Sequence, residues 1–192
     1  ILDPKGPSAF LEREGMAIGL GAIAKGYAID RAAEILRRNG VKRFIVDGGG
    51  DLYLGGRKQN GQRWSVGVRH PRSEDTLIVE IPVENAAIVT SGDYERFFER
   101  DGMRYHHIID LRHGRPAQAS VSVTVMASNT AIADAMATAI FVLGPREGIR
   151  LAENTSGLEA AVFGPDGNIT TTTRWNQLFP KRWQPNSPHG TP

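Results

Sequence analysis

Between Thr130 and Leu143 the chain reads TAIADAMATAIFVL, with alanine at 131, 133, 135, 137 and 139. Alanine is the best helix former, and small side chains almost all the way round let neighbouring elements approach on every side. The stretch therefore predicts a tightly packed central helix, closed by Gly144-Pro145. One residue fits such an interior poorly. Asp134 is a carboxylate in apolar surroundings, where a charge without a partner is costly. Thr138 follows at i+4, so both oxygens project from one helix face about one turn apart. Two solutions satisfy the carboxylate. One is a hard cation such as Mg2+, which takes oxygen ligands; the other is a structural hydrogen bond or ion pair.

The rest of the pattern surrounds that helix. A helix is expected over residues 25–39, because Ile29, Ala32, Ala33 and Leu36 fall at i, i+3, i+4 and i+7 and Asn39-Gly40 supplies the stop. Short strands are expected at 16–20, 43–47, 51–54, 64–69, 77–82, 86–91, 104–110 and 120–126, separated by turns rich in Gly, Asn or Pro. A further helix near 146–154 and a hairpin around Pro165-Asp166-Gly167 follow. Strands so closely spaced pair antiparallel, and the order of elements indicates an α+β fold with helices packed on a largely antiparallel sheet.

The totals exclude several classes. Lys and Arg number 23 against 21 Asp and Glu, a net charge of +2, too weak a field to bind a phosphate backbone, so no nucleic-acid partner is expected. The absence of cysteine removes disulfides, thiolate metal sites and a cysteine nucleophile. No run of about 18 apolar residues suggests a transmembrane segment.

Three stretches are denser in glycine and functional groups than a core requires. Residues 20–27, LGAIAKGY, lie where the chain enters a helix, whose free N–H groups and dipole favour an anion and where Lys25 adds charge; a plain turn explains the glycines equally well. Asp47-Gly48-Gly49-Gly50-Asp51 leaves room for a ligand, or is a tight hairpin. The third stretch runs from Thr90-Ser91-Gly92-Asp93-Tyr94 through Tyr105-His106-His107-Ile108-Ile109-Asp110 to Asp134 and Thr138. Adjacent strand residues face opposite ways, so only one of His106 and His107 reaches a common site, one as a candidate general base and the other as a structural or surface histidine. His70, His113 and His189 read as solvated loop residues.

In this order, residues 20–30 (LGAIAKGYAID), Gly48-Gly49-Gly50-Asp51, residues 90–94 (TSGDY), His106-His107-Ile108-Ile109-Asp110, Ser122-Val123-Thr124-Val125 and residues 133–139 (ADAMATA) resemble the ApbE family of FAD:protein FMN transferases. The resemblance covers about residues 10–165. It implies an α+β fold related to the tunnelling T-fold, and a Mg2+-dependent enzyme that moves FMN from FAD to a Ser or Thr hydroxyl of an acceptor protein and releases AMP. Water as acceptor would give a FAD pyrophosphatase, and a non-catalytic flavin-binding or structural domain is the alternative of another class. The Ala22 carbonyl, Asp134 and Thr138 are then the expected Mg2+ ligands. Lys25 is expected to contact FAD, His107 to act as the base, and Ser91, Gly92 and Ile108 to form pocket wall.

The same resemblance implies a longer N-terminal part in the family. Residues 1–15 are therefore expected to be a connector from a missing N-terminal region, 16–173 the catalytic domain portion and 174–192 a flexible tail, with Trp175 and Trp183 as the residues able to dock it. It also implies a periplasmic or envelope-associated location, for which the chain carries no visible signal.

Overall fold

The computed structural model describes residues 1–3 and 5–179. Leu2–Asp3 (β1) and Ser8–Ala9 (β2) form an exposed hairpin, followed by helix Ala24–Arg38 (α1). Strands Phe44–Asp47 (β3), Leu52–Gly55 (β4), Trp64–His70 (β5), Ser73–Val83 (β6) and Ala86–Gly92 (β7) come next. Short pieces Phe97–Arg100 (β8), Met103–His106 (β9), Ile109–Asp110 (β10) and Arg115–Pro116 (β11) lead to Ser122–Ala127 (β12). Helix Thr130–Glu153 (α2), strands Glu159–Phe163 (β13) and Ile169–Thr171 (β14) and helix Thr173–Leu178 (α3) complete the described residues. No described helix is long and apolar enough to cross a membrane.

Six strands form one antiparallel sheet in the order β14-β13-β12-β7-β4-β3. Alternation along its strands divides the interior in two. Tyr53, Ala87, Val89, Val123, Val125, Ala160 and Val162 point to one face, where they pack with Ile29, Ala33, Ala133, Ala137, Ile140 and Phe141 from α1 and α2. Leu54 and Ile88 point to the other, against Val68, Ile81 and Val83 of the β5–β6 hairpin and Trp175 and Phe179. The fold is therefore helices, sheet, then hairpin with α3, as the α+β expectation requires.

The alanine-rich stretch is the central helix. Ala133, Ala137 and Ile140 have no exposed surface. The backbone breaks at Gly144, whose φ of 82° and ψ of 179° interrupt the helix ahead of Pro145 and separate the two expected helices. A Cβ there would come within 2.8 Å of the Ala119 methyl.

The two helices cross at very close range. A Cβ at Gly26 would fall 2.4 Å from the Thr130 carbonyl oxygen, so glycine is the residue that fits. The crossing is also hydrogen-bonded. Asp30 on α1 accepts from the N–H groups of Thr130 at 2.7 Å and Ala131 at 2.9 Å, and Asn129 accepts from Ile132 N–H at 2.9 Å. The first N–H groups of α2, which no helical carbonyl reaches, are thus satisfied by side chains.

The structure differs from the sequence reading in several places. Residues 16–20 form no strand, and their apolar Met16, Ile18 and Leu20 are exposed. The expected strand over 104–110 is broken at His107, because the Ile108 N–H turns to the His106 ring instead of a neighbouring strand. The β8–β9 hairpin was not expected. Phe98 stacks on Tyr105 across it, while Phe97 and Phe98 stay exposed and show no burial alternation. Where a tail was expected from 174, helix α3 runs on to Leu178, and Trp175 docks as the sequence allowed, buried against Phe179. Trp183 and His189 lie outside the described residues. His70 ends β5 with its ring against Phe163, and His113 bonds Asp110 at 2.8 Å, so neither is simply a solvated loop residue.

Replacing Gly26 by Ala should cost about 1–3 kcal/mol, because a methyl meets backbone that cannot rotate away. Urea unfolding should show a lower midpoint for Gly26→Ala; an unchanged midpoint would mean the crossing is looser than described.

Candidate active site

One cleft of about 450 Å³ opens where the start of α1, the β3–β4 turn, the end of β7 and the middle of α2 converge. Its lining includes Ala22, Lys25, Ser91, Gly92, His107, Ile108, Asp134 and Thr138, so every site residue expected from the sequence faces one space. They come from four separate parts of the chain.

The floor is electrostatic. Asp134 is 5% exposed, and its Oδ2 accepts the Gly26 N–H at 2.9 Å, so the structural solution for the buried carboxylate is present. Asp51, after the three glycines, is 2% exposed and pairs with Lys25 Nζ at 2.8 Å. Burial raises the Asp51 pKa; Lys25 opposes the rise through its hydrogen bond and charge, and the negative charge of Asp134 adds to it. The sequence motif contained Asp51 but gave it no role. The signal available was a carboxylate following a glycine run, with a lysine at a helix start to meet it.

The glycines have divided duties. Gly49 and Gly50 sit at φ of 79° and 94°, donate to Asp47 Oδ1 and leave open space at the cleft, so the turn is both a hairpin and a wall. Gly21 is likewise open, whereas Gly26 serves the helix crossing. Gly92 lines the cleft, but its missing side chain is required by the Tyr94 ring, which a Cβ would approach to 2.5 Å.

The wall from Ser91 to Arg96 is fixed from behind. Asp93 accepts a bidentate pair from Arg72 at 2.7 and 2.6 Å, and Arg104 stands 3.4 Å from the same carboxylate. Glu95 and Arg96 also line the cleft and were not singled out in the sequence.

His106 and His107 face opposite ways, as expected, although the strand itself ends at His106. His107 is exposed and lines the cleft, whereas His106 is buried behind it with Nε2 2.8 Å from the Ala117 carbonyl. Burial lowers the His106 pKa, and the hydrogen bond to Ala117 only partly offsets this.

The cleft suits a hard cation by its donor chemistry. A main-chain carbonyl, a hydroxyl and one buried carboxylate are all oxygen donors, and Mg2+ is commonly held by one or two carboxylates with water and phosphate. Among the described residues there is no cluster of three or more His, Asp and Glu, which argues against an all-side-chain cage. A larger cavity of about 650 Å³ lies on the opposite face of the sheet, lined by Val68, Phe163, Trp175, Phe179 and neighbours with no charged side chain among them. Of these two cavities, the smaller one carries the cationic side chains, Lys25 and Arg96, that an anionic ligand needs.

Fold and cleft together define a class: an α+β domain with a lysine, two buried carboxylates and a helix start around a small-ligand cleft. The chain belongs to the ApbE family, whose model matches residues 2–162. It is 40% identical over 171 residues to the FAD:protein FMN transferase of Treponema pallidum, covering 83% of this chain and 47% of that protein. It superposes on the ApbE protein of Thermotoga maritima with a TM-score of 0.82 at 37% identity, covering 93% of this chain and 58% of that one. The apo flavinyl transferase ApbE of Pseudomonas stutzeri matches with a TM-score of 0.71 at 36% identity, covering 82% and 50%. The chain thus spans about half the length of the curated relatives it matches.

Lys25→Met should leave Asp51 buried without its cation and cost about 1–3 kcal/mol at neutral pH. Removing the lysine raises the Asp51 pKa further. The deficit should therefore be largest where Asp51 is ionised and shrink as pH falls through the raised pKa. Urea unfolding of both proteins at pH 7.5 and pH 5 reads the difference; a deficit independent of pH would separate Lys25 from Asp51.

Proposed function

We propose that this chain carries the catalytic cleft of a FAD:protein FMN transferase, which moves FMN from FAD to a hydroxyl of an acceptor protein. The observation that carries the reading is the convergence of Lys25, His107, Asp134 and Thr138 on one cleft, within a chain of the ApbE family.

The chemistry asks mainly for positioning and charge neutralisation. A bound Mg2+, held by the Ala22 carbonyl, Asp134 and Thr138, would neutralise pyrophosphate charge. Lys25 adds a second positive charge at the start of α1, and the buried Asp51 keeps the ammonium in place. Ser91, Gly92 and Ile108 form wall against which the flavin nucleotide rests. His107 takes the proton from the acceptor Ser or Thr hydroxyl. The freed oxygen bonds to the phosphorus of the FMN half, the bond from that phosphorus to the bridging oxygen breaks, and AMP leaves with that oxygen. Exposure of His107 suits this role, since the acceptor arrives from solvent as a protein.

Incubation with FAD, Mg2+ and an acceptor bearing a hydroxyl in a flavinylation sequence should give a covalently fluorescent acceptor and one AMP for each label. AMP without label would identify a pyrophosphatase, and neither product would sink the enzymatic reading. Asp134→Asn is the informative variant. It retains an oxygen to accept the Gly26 N–H and removes the charge, so unfolding should change little while transfer falls by about 100-fold or more. Unchanged transfer would remove Asp134 from the metal site.

A further inference from the structure

The imidazole of His106 has both nitrogens committed to main-chain partners. Its Nδ1 lies 3.3 Å from the Ile108 N–H, and its Nε2 lies 2.8 Å from the Ala117 carbonyl. A backbone N–H only donates and a carbonyl only accepts, so the ring is neutral with its proton on Nε2. The same segments are bonded once more, Ala117 N–H donating to the Ile108 carbonyl at 2.9 Å. The ring also meets Phe141 edge to face, with centroids 5.5 Å apart and planes at 78°. Phe141 follows Asp134 and Thr138 at i+7 and i+3, on the same stripe of α2. His107, between the two anchored residues 106 and 108, is the exposed one and faces the cleft.

We propose that His106 is a positioning residue for His107, holding the 106–108 turn at a fixed distance from the helix that carries Asp134 and Thr138. The inference rests on the reading of His107 as the base that receives the acceptor proton. A protonated His106 would point a second N–H at the Ile108 N–H and release the turn. The charged groups that bear on His106 are Asp93 at the end of β7, Arg104 on its own strand, and His107; α2 contributes only the Phe141 ring, and Ala117 its carbonyl. Burial is the largest influence and favours the neutral ring, so at neutral pH the turn is locked.

Two variants separate positioning from packing. His106→Phe fills the space and loses both hydrogen bonds, whereas His106→Asn offers an oxygen near the position of Nδ1 for the Ile108 N–H. Displacing a catalytic group by about an ångström costs on the order of 100-fold in rate. With the full chain, kcat for FMN transfer should fall about 10- to 100-fold in His106→Phe, with KM for FAD held within about two-fold and kcat largely restored in His106→Asn. Equal kcat for His106→Phe and the parent would overturn the proposal. So would a joint change of kcat and KM in both variants that tracks their thermal stability. Histidine NMR on the parent chain gives a readout that needs neither folding of the variant nor turnover. The neutral Nε2–H tautomer of His106 at neutral pH supports the lock; an Nδ1–H tautomer, or a protonated ring there, defeats it. If the parent labels no acceptor, the transferase reading fails, and the NMR result still decides whether His106 fixes the turn.

Discussion

The structure depends on the contact between α1 and α2, where Gly26 lies against the Thr130 carbonyl. Only a residue without a side chain permits that approach, since a Cβ would sit 2.4 Å from the oxygen. Closeness lets the Gly26 N–H reach Asp134 and lets Asp30 serve two N–H groups at the start of α2. A single sequence, Lys25-Gly26 with Asp30 one turn on, thus supplies cleft charge, helix contact and helix cap. Loosening the contact would move Lys25 relative to Asp134, so stability and site geometry are coupled through a few atoms.

The cleft built on that contact concentrates negative charge. Asp51 and Asp134 are both buried, and the Asp51 pKa is raised by burial despite its lysine. Buried carboxylates held this close oppose stability, an arrangement common where function rather than packing sets the composition of a site. The apolar cavity beyond the sheet is larger but carries no charged side chain, so volume and charge separate onto opposite faces of the sheet. Behind the cleft wall, Asp93 with its arginines and the His106 ring hold the two segments that bring Ser91 and His107 to the opening.

Much of the fold is legible in the residues because it follows periodicity. The stripe from Ile29 to Leu36 and the alanines of α2 mark the helices, and Gly144-Pro145 marks the break between α2 and its continuation. Strand β8, Phe97–Arg100, is not legible in the sequence because its residues are all exposed and do not alternate with a buried row. Residues 16–20 have strand-like composition but no partner. The site is a different matter, because nothing local connects Lys25 to His107 or Asp134. Their meeting follows from the antiparallel register of β4, β7 and β12, and family resemblance was what joined them in the sequence. The duties of Gly26, Asp30 and His106 were unreadable for the same reason: each acts on backbone about 10 to 100 residues away.

The most direct measurement is a crystal structure of the chain soaked with FAD and Mn2+, using the anomalous signal of manganese to locate the cation. The expected result is a peak about 2.1 Å from oxygens of Asp134, Thr138 and Ala22, with the pyrophosphate beside Lys25. Manganese away from Asp134, or FAD lodged in the cavity beside Trp175, would contradict the assignment of the cleft.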